Sequence, residues 1–270
     1  MHRSDPAAAL EALLALMARL RDPQHGCPWD RAQDFKSIAP YTLEEAYEVR
    51  EAIERNDPDA LRAELGDLLF QVVFHARLGE ERGWFDFAAV AAGVHAKLVR
   101  RHPHLFDTEA TPGSAAEQSR RWEDLKALER AGDANGDASA LADVALALPA
   151  LMRAGKLGRR AGRVGFDWAE PQAVRAKVLE ELGELDAALG ASGGTADAHV
   201  REEFGDLLFA LANWGRHLGI DPEEALRGAN AKFERRFRHM EASAAQLSAP
   251  LGQLSAAQWE ALWCAAKGEP

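Results

Sequence analysis

TLEEAYEV (residues 42–49) followed by AELGDLLF (63–70) sets two glutamates three apart, then a glutamate and an aspartate three apart; the arrangement returns as KVLEELGEL (177–185) and EEFGDLLF (202–209). Residues three apart on a helix lie on nearly one face, so each pair presents its carboxylates together. Asn56-Asp57-Pro58 is a strong turn signal between the first two segments. Glu45 and Asp67 are equally far from that turn, as are Glu48 and Glu64. Antiparallel helices rise equally per residue, so the spacing predicts a helical hairpin with these acids at matching heights. Around Gly193-Gly194 the same logic pairs Glu181 with Asp206 and Glu184 with Glu203.

The rest of the chain agrees with helix. Alanine, leucine, glutamate and arginine abound, only 2 tyrosines occur, and no convincing strand run is found. The expected fold class is all-α, a tandem duplication of one helical bundle domain. A length of 270 residues suits two domains, each large enough to bury a core. In each half an apolar helix (6–21; 142–155) leads into a loop with aromatic residues, GCPWD at 26–30 and GFDW at 165–168. Then come the acidic hairpin and a later helix bearing KLVRR (97–101) or KFERR (232–236). Asp221-Pro222-Glu223 reads as a helix N-cap with proline at the first helical position. Leu61, Leu65, Leu68, Leu69, Val72 and Val73 form an expected core stripe, with Glu64, Asp67 and Gln71 along its edge. Phe204, Leu207, Leu208 and Leu211 repeat the stripe beside Glu203 and Asp206. Residues 108–119 read as an exposed loop and 121–130 as a short helix. The composition of 131–140 marks a boundary, giving domains 1–130 and 142–270 with 131–141 between them.

Charge and composition exclude several roles. The 32 basic and 43 acidic side chains leave a net charge of −11, which argues against binding a nucleic-acid polymer. Two distant cysteines, Cys27 and Cys264, make no disulfide framework and suit a reducing cytoplasm. The apolar stretch 7–17 is interrupted by Glu11 and reads as an amphipathic helix rather than a signal peptide, and no apolar run is long enough to span a bilayer.

Like charges at helical spacing destabilise a helix by about 0.2–0.5 kcal/mol per pair, and desolvating them costs more. A divalent cation relieves both costs, and hard carboxylate oxygens suit Mg²⁺ that keeps waters and shares substrate phosphates. A single E-x-x-E is ordinarily a solvated helix surface; the mirrored placement and the repetition favour metal ligation. Lys97 with Arg101 and Lys232 with Arg236, each four apart, share a helical face fit for phosphate oxygens. Their plainer reading is a basic face near a helix end. His102-Pro103-His104 reads as a turn, and His75 and His217 as packed or hydrogen-bonded. Trp259 and Trp263 form either the apolar face of a last helix or a stacking surface for a base.

Together with IAPYTLEEAYEV, RRHPHLF, VGFDW and KFERRFR, these motifs resemble the MazG-type nucleoside triphosphate pyrophosphohydrolases over nearly the whole chain. The resemblance implies two all-α MazG domains and a homodimer. It also implies Mg²⁺-dependent hydrolysis, with Mn²⁺ as a substitute, of nucleoside triphosphates to monophosphate and pyrophosphate. By motif, Glu181, Glu184, Glu203 and Asp206 would form the catalytic metal site, and Glu45, Glu48, Glu64 and Asp67 its N-terminal equivalent. Lys177, Lys232 and Arg236 would contact phosphates, Trp263 the nucleotide, and Lys97 and Arg101 would be the N-terminal basic pair. Tyr41 stands where the C-terminal half has Lys177, and Trp263 has no N-terminal counterpart, so the C-terminal half is the expected main site. Two other readings compete. A di-iron bundle would need E-x-x-H motifs, which neither hairpin offers. A non-enzymatic helical scaffold with structural metal would release no pyrophosphate.

Overall fold

The computed structural model describes residues 5–106, 114, 117–118, 121–122, 125–126, 129, 139–246 and 251–268. Among them every regular element is a helix. The chain divides into two compact units, 1–130 and 131–270. The expected loop 108–119 and the linker 131–141 fall mostly outside the described residues; of 121–130, the described positions are helical.

The first unit contains α1 (Pro6–Leu20), α2 (Pro28–Ala32), α3 (Phe35–Glu54), α4 (Pro58–Glu81), α5 (Phe87–Arg101) and α6 (Pro103–Phe106). Asp34 opens α3 with a capping box, and Asp57 caps α4 ahead of Pro58. Between them Asn56 adopts φ 53°, the left-handed conformation that asparagine tolerates, and the chain reverses. Phe74, Val73 and Leu78 of α4 meet Met17 of α1 and Ile38 of α3 in the buried core. The GCPWD loop turns at Gly26, where a Cβ would lie 2.4 Å from the Leu20 carbonyl oxygen. Arg21 secures it, donating to the carbonyl oxygens of Asp30 and Gln33 while its guanidinium grips Glu81 at the end of α4, 2.7 Å away.

The second unit contains α7 (Ala150–Arg163), α8 (Pro171–Ala191), α9 (Ala198–His217), α10 (Pro222–Gln246), a short 3₁₀ turn (Leu251–Gln253) and α11 (Ala256–Gly268). The leading helix starts at Ala150, later than the 142–155 read from the sequence. Pro149 disfavours helix in the residue before it, and Asp143 at φ 60° breaks the segment further upstream. The α8–α9 turn uses Gly193 and Gly194, both at positive φ. Asp221 caps α10 through the amides of Glu223 and Glu224. Gly158 lets α7 lie against α9, since a Cβ there would stand 2.0 Å from Asn213 Oδ1.

The core stripe of α4 is only in part the one expected: Val73 is buried in the core and Leu61 and Leu68 are half-buried. Leu65, Leu69 and Val72 are exposed, whereas Gln71 is buried with its Oε1 lacking a hydrogen-bond partner. The less exposed line runs Leu61, Glu64, Leu68, Gln71, His75, and on α3 it runs Ile38, Thr42, Glu45, Val49, Ala52. These lines form the seam of the hairpin, since Thr42 Oγ1 lies 2.9 Å from His75 Nε2. Helix α4 carries apolar residues on several faces between Leu65 and Phe74, so periodicity alone does not locate the seam. In the second unit the buried line of α8 is Val174, Val178, Glu181, Leu185, Ala188. On α9 it is Val200, Glu203, Leu207, Ala210, while Phe204, Leu208 and Leu211 are exposed.

The GFDW loop is held as firmly as its N-terminal counterpart, with the charges reversed. Asp167 accepts two hydrogen bonds from Arg216, at 2.6 and 2.8 Å, and lies 2.8 Å from His217 Nε2. The Arg216 hydrogen bonds hold the Asp167 carboxyl well below the usual carboxylate range. A depressed folded pKa means that the stabilisation is present above the unfolded value near ~3.9 and is lost as pH falls through the folded one. Asp167→Asn is expected to lower stability by about 2 kcal/mol at neutral pH. Urea denaturation should also show the variant losing less stability than wild type as the solution is acidified below about pH 4.

Candidate metal centres

Each seam carries acids where a bundle ordinarily places leucine. Glu45 and Glu64 sit on facing seam lines of the first hairpin, Glu181 and Glu203 on those of the second. Glu48 and Glu184 follow one turn along α3 and α8 and lie more exposed. The result is two groups, Glu45-Glu48-Glu64 and Glu181-Glu184-Glu203, within each of which one oxygen per residue lies within 4.8 Å of the others. Glu181 is only 7% exposed. The hairpins therefore bring together three of the four expected acids each. Asp67 and Asp206 are exposed and outside these groups, although the charge of Asp67 still reaches Glu45.

The electrostatics of the two groups differ. Burial pushes the Glu45 carboxyl up, and Asp67, Glu48, Glu64 and Glu44 push it further. Partial desolvation also raises Glu184, reinforced by Glu181, Glu203 and Glu180, but Lys177 opposes them. Lys177 Nζ lies 2.8 Å from Glu180 Oε1 and 2.7 Å from Glu181 Oε1. The acids of the C-terminal group thus have a basic partner on their own helix. His199 adds a second neighbour, its Nδ1 3.4 Å from Glu203 Oε1. Lys177–Glu181 and His199–Glu203 are spaced i,i+4 and Lys177–Glu180 i,i+3, local signals that the sequence carries although the expected site leaves out His199 and Glu180.

The remaining expected residues are placed as follows. Arg236 lies over the ring of Trp263, 5.7 Å from its centroid, and Lys267 stands 5.6 Å from the same centroid. Trp263 also packs against Phe233, and Trp259 stacks on Phe237. The two tryptophans thus join α11 to α10, and Trp263 is flanked by cations as well. Lys232 and Lys97 are exposed. Arg101 is engaged by Glu129, which also binds Arg100 and whose carboxyl is pulled down to about 2 by the two guanidiniums. His102 caps α5, its Nδ1 2.7 Å from the Leu98 carbonyl oxygen. His75 stacks on Phe35, and burial lowers its pKa.

The MazG nucleotide pyrophosphohydrolase domain matches the chain twice, over residues 33–106 and 169–241. The chain belongs to this family. Each MazG match includes one complete acidic hairpin. A nucleoside triphosphate pyrophosphohydrolase of Escherichia coli K12 is 52% identical over 86% of this chain and 87% of its own length. The nucleoside triphosphate pyrophosphohydrolase/pyrophosphatase MazG of Thermotoga maritima is 41% identical over 96% of this chain and 95% of its own length. A nucleoside triphosphate pyrophosphohydrolase of Mycolicibacterium smegmatis is 32% identical over 96% of this chain and 70% of its own. Among the described residues no helix is long and apolar enough to cross a membrane.

The MazG hairpins crowd carboxylates where like charge opposes folding. Glu45→Gln is therefore expected to raise the thermal midpoint of chelator-treated protein by about 2–4 °C. The same variant should gain less than wild type when Mg²⁺ is added, as read by thermal unfolding with and without the ion.

Proposed function

We propose that this MazG protein hydrolyses nucleoside triphosphates to the monophosphate and pyrophosphate in a Mg²⁺-dependent reaction, with Mn²⁺ as a substitute, centred on the C-terminal hairpin. The observation that carries this reading is the convergence of Glu181, Glu184 and Glu203 at a helix seam. The names of the aligned relatives supply the substrate class. Three carboxylates in close reach fit a hard divalent cation, and Glu181, Glu184 and Glu203 would hold it, with Asp206 on the next turn of α9. Bound there, Mg²⁺ would neutralise triphosphate charge and make a water more acidic.

The chain's own residues supply the rest. A glutamate oxygen not engaged in ligation would accept a proton from the attacking water. Lys177, Lys232 and Arg236 would bind phosphate oxygens and stabilise the leaving pyrophosphate. Trp263, already flanked by Arg236 and Lys267, offers an aromatic face for the nucleotide. The N-terminal group has Tyr41 in place of Lys177 and Arg101 tied to Glu129, which supports a subordinate role for that half.

Further aspects belong to the same proposal. A homodimer is supported by the exposed apolar side chains of both hairpins, such as Leu65, Leu69 and Val72 in the first and Phe204, Leu208 and Leu211 in the second. A cytoplasmic role in housecleaning or nucleotide-pool control, with adenosine triphosphate among the substrates, is part of this reading; the free cysteines suit a reducing compartment, and the relatives are named for nucleoside triphosphates in general. The division into domains 1–130 and 142–270, joined at 131–141, accords with the two family matches.

Glu203→Ala is expected to abolish pyrophosphate release from a nucleoside triphosphate panel with Mg²⁺ present, whereas Glu64→Ala should leave most of it. Near-wild-type turnover by the Glu203 variant would refute the assignment. Absence of both products from wild type would favour a non-enzymatic scaffold.

A further inference from the structure

The two acidic groups are alike in ligand set and unlike in what already neutralises them. One turn before the first carboxylate of the pattern, α8 carries Lys177 and α3 carries Tyr41. Lys177 is not a distant surface charge: its ammonium touches both Glu180 and the buried Glu181, with its side chain about one-third exposed. A cation entering the C-terminal group must compete with an ammonium covalently supplied by the same helix. By contrast, among the described residues no ion pair joins Glu45, Glu48 or Glu64 to a cationic side chain, whereas Lys177 pairs with Glu181. Tyr41 instead makes an edge contact with Trp29, 6.1 Å between ring centroids. Its phenol brings no positive charge at neutral pH.

We propose that Lys177 acts as a built-in counter-ion, so that without nucleotide Glu181-Glu184-Glu203 holds a divalent cation more weakly than Glu45-Glu48-Glu64 does. This rests on the reading of both groups as cation sites and adds an order of loading to it. The site expected to do the main chemistry is the one less ready to fill alone. Triphosphate oxygens arriving at Lys177 would draw the ammonium from Glu181 and free that carboxylate for ligation, coupling the ion to the substrate. At the N-terminal group no such exchange is needed, so its ion would be resident.

The test is Mn²⁺ binding to the chelator-treated full chain without nucleotide, followed by electron paramagnetic resonance. Wild type should show two classes of site differing in affinity by about tenfold or more. Glu48→Gln should remove the tighter class and Glu184→Gln the weaker. Lys177→Met should strengthen the weaker class by about tenfold and leave the tighter one unchanged. Lys177→Gln, which keeps a polar head on the partly exposed side chain, should do the same. Equal affinities in wild type, or a weaker class unmoved by both Lys177 variants, would overturn the proposal. Pyrophosphate release that is retained in wild type and lost in Glu203→Ala would show that the hydrolase reading survives such a failure.

Discussion

Acids in the seam of a helical hairpin are the constraint around which this protein is arranged. Glu45 and Glu64, then Glu181 and Glu203, occupy seam positions that a bundle otherwise fills with apolar side chains. Crowded carboxylates in a seam add nothing to an apolar core, so the hairpins are held by what surrounds those residues. In the first unit that support is the core around Phe74, Met17 and Ile38. In the second it is the apolar line of α8 on either side of Glu181 and the cluster of Leu185, Ala188 and Val200. Loops on both units are pinned to the far ends of the hairpins, by Arg21 with Glu81 and by Asp167 with Arg216 and His217. Rigid helices so fixed keep the carboxylates in register, as a metal site requires.

Duplication allowed the two copies to diverge around a shared set of acids. The acids recur at equivalent positions, while their neighbours changed. Lys177 corresponds to Tyr41, and the MazG C-terminal unit continues into α11, whose Trp263 meets Arg236. Exposed apolar residues persist on both hairpins, beside rather than within the acidic seam. Each copy thus presents an acidic interior line and an apolar outer face on the same pair of helices.

Much of this was legible in the sequence. The turn at Asn56 and the glycines at 193–194 mark hairpins, and the repeated acids identify facing helices. The all-helical class and the family follow from residues alone. Seam register was harder, because α4 is apolar on several faces and the acids themselves mask the line they occupy. The start of α7 was misplaced because composition at 142–149 is helix-friendly, while Pro149 and the positive φ of Asp143 decide against it. Long-range contacts such as Asp167 with Arg216 have no local signature. Lys177 with Glu181 has one, since i,i+4 spacing on a helix predicts an ion pair.

Manganese soaked into crystals of the protein and located by anomalous diffraction addresses the seam directly. Peaks are expected between Glu181, Glu184 and Glu203 and between Glu45, Glu48 and Glu64, with carboxylate oxygens about 2.0–2.3 Å from the ion. Carboxylates turned outward into solvent, with no anomalous peak at either hairpin, would contradict the account.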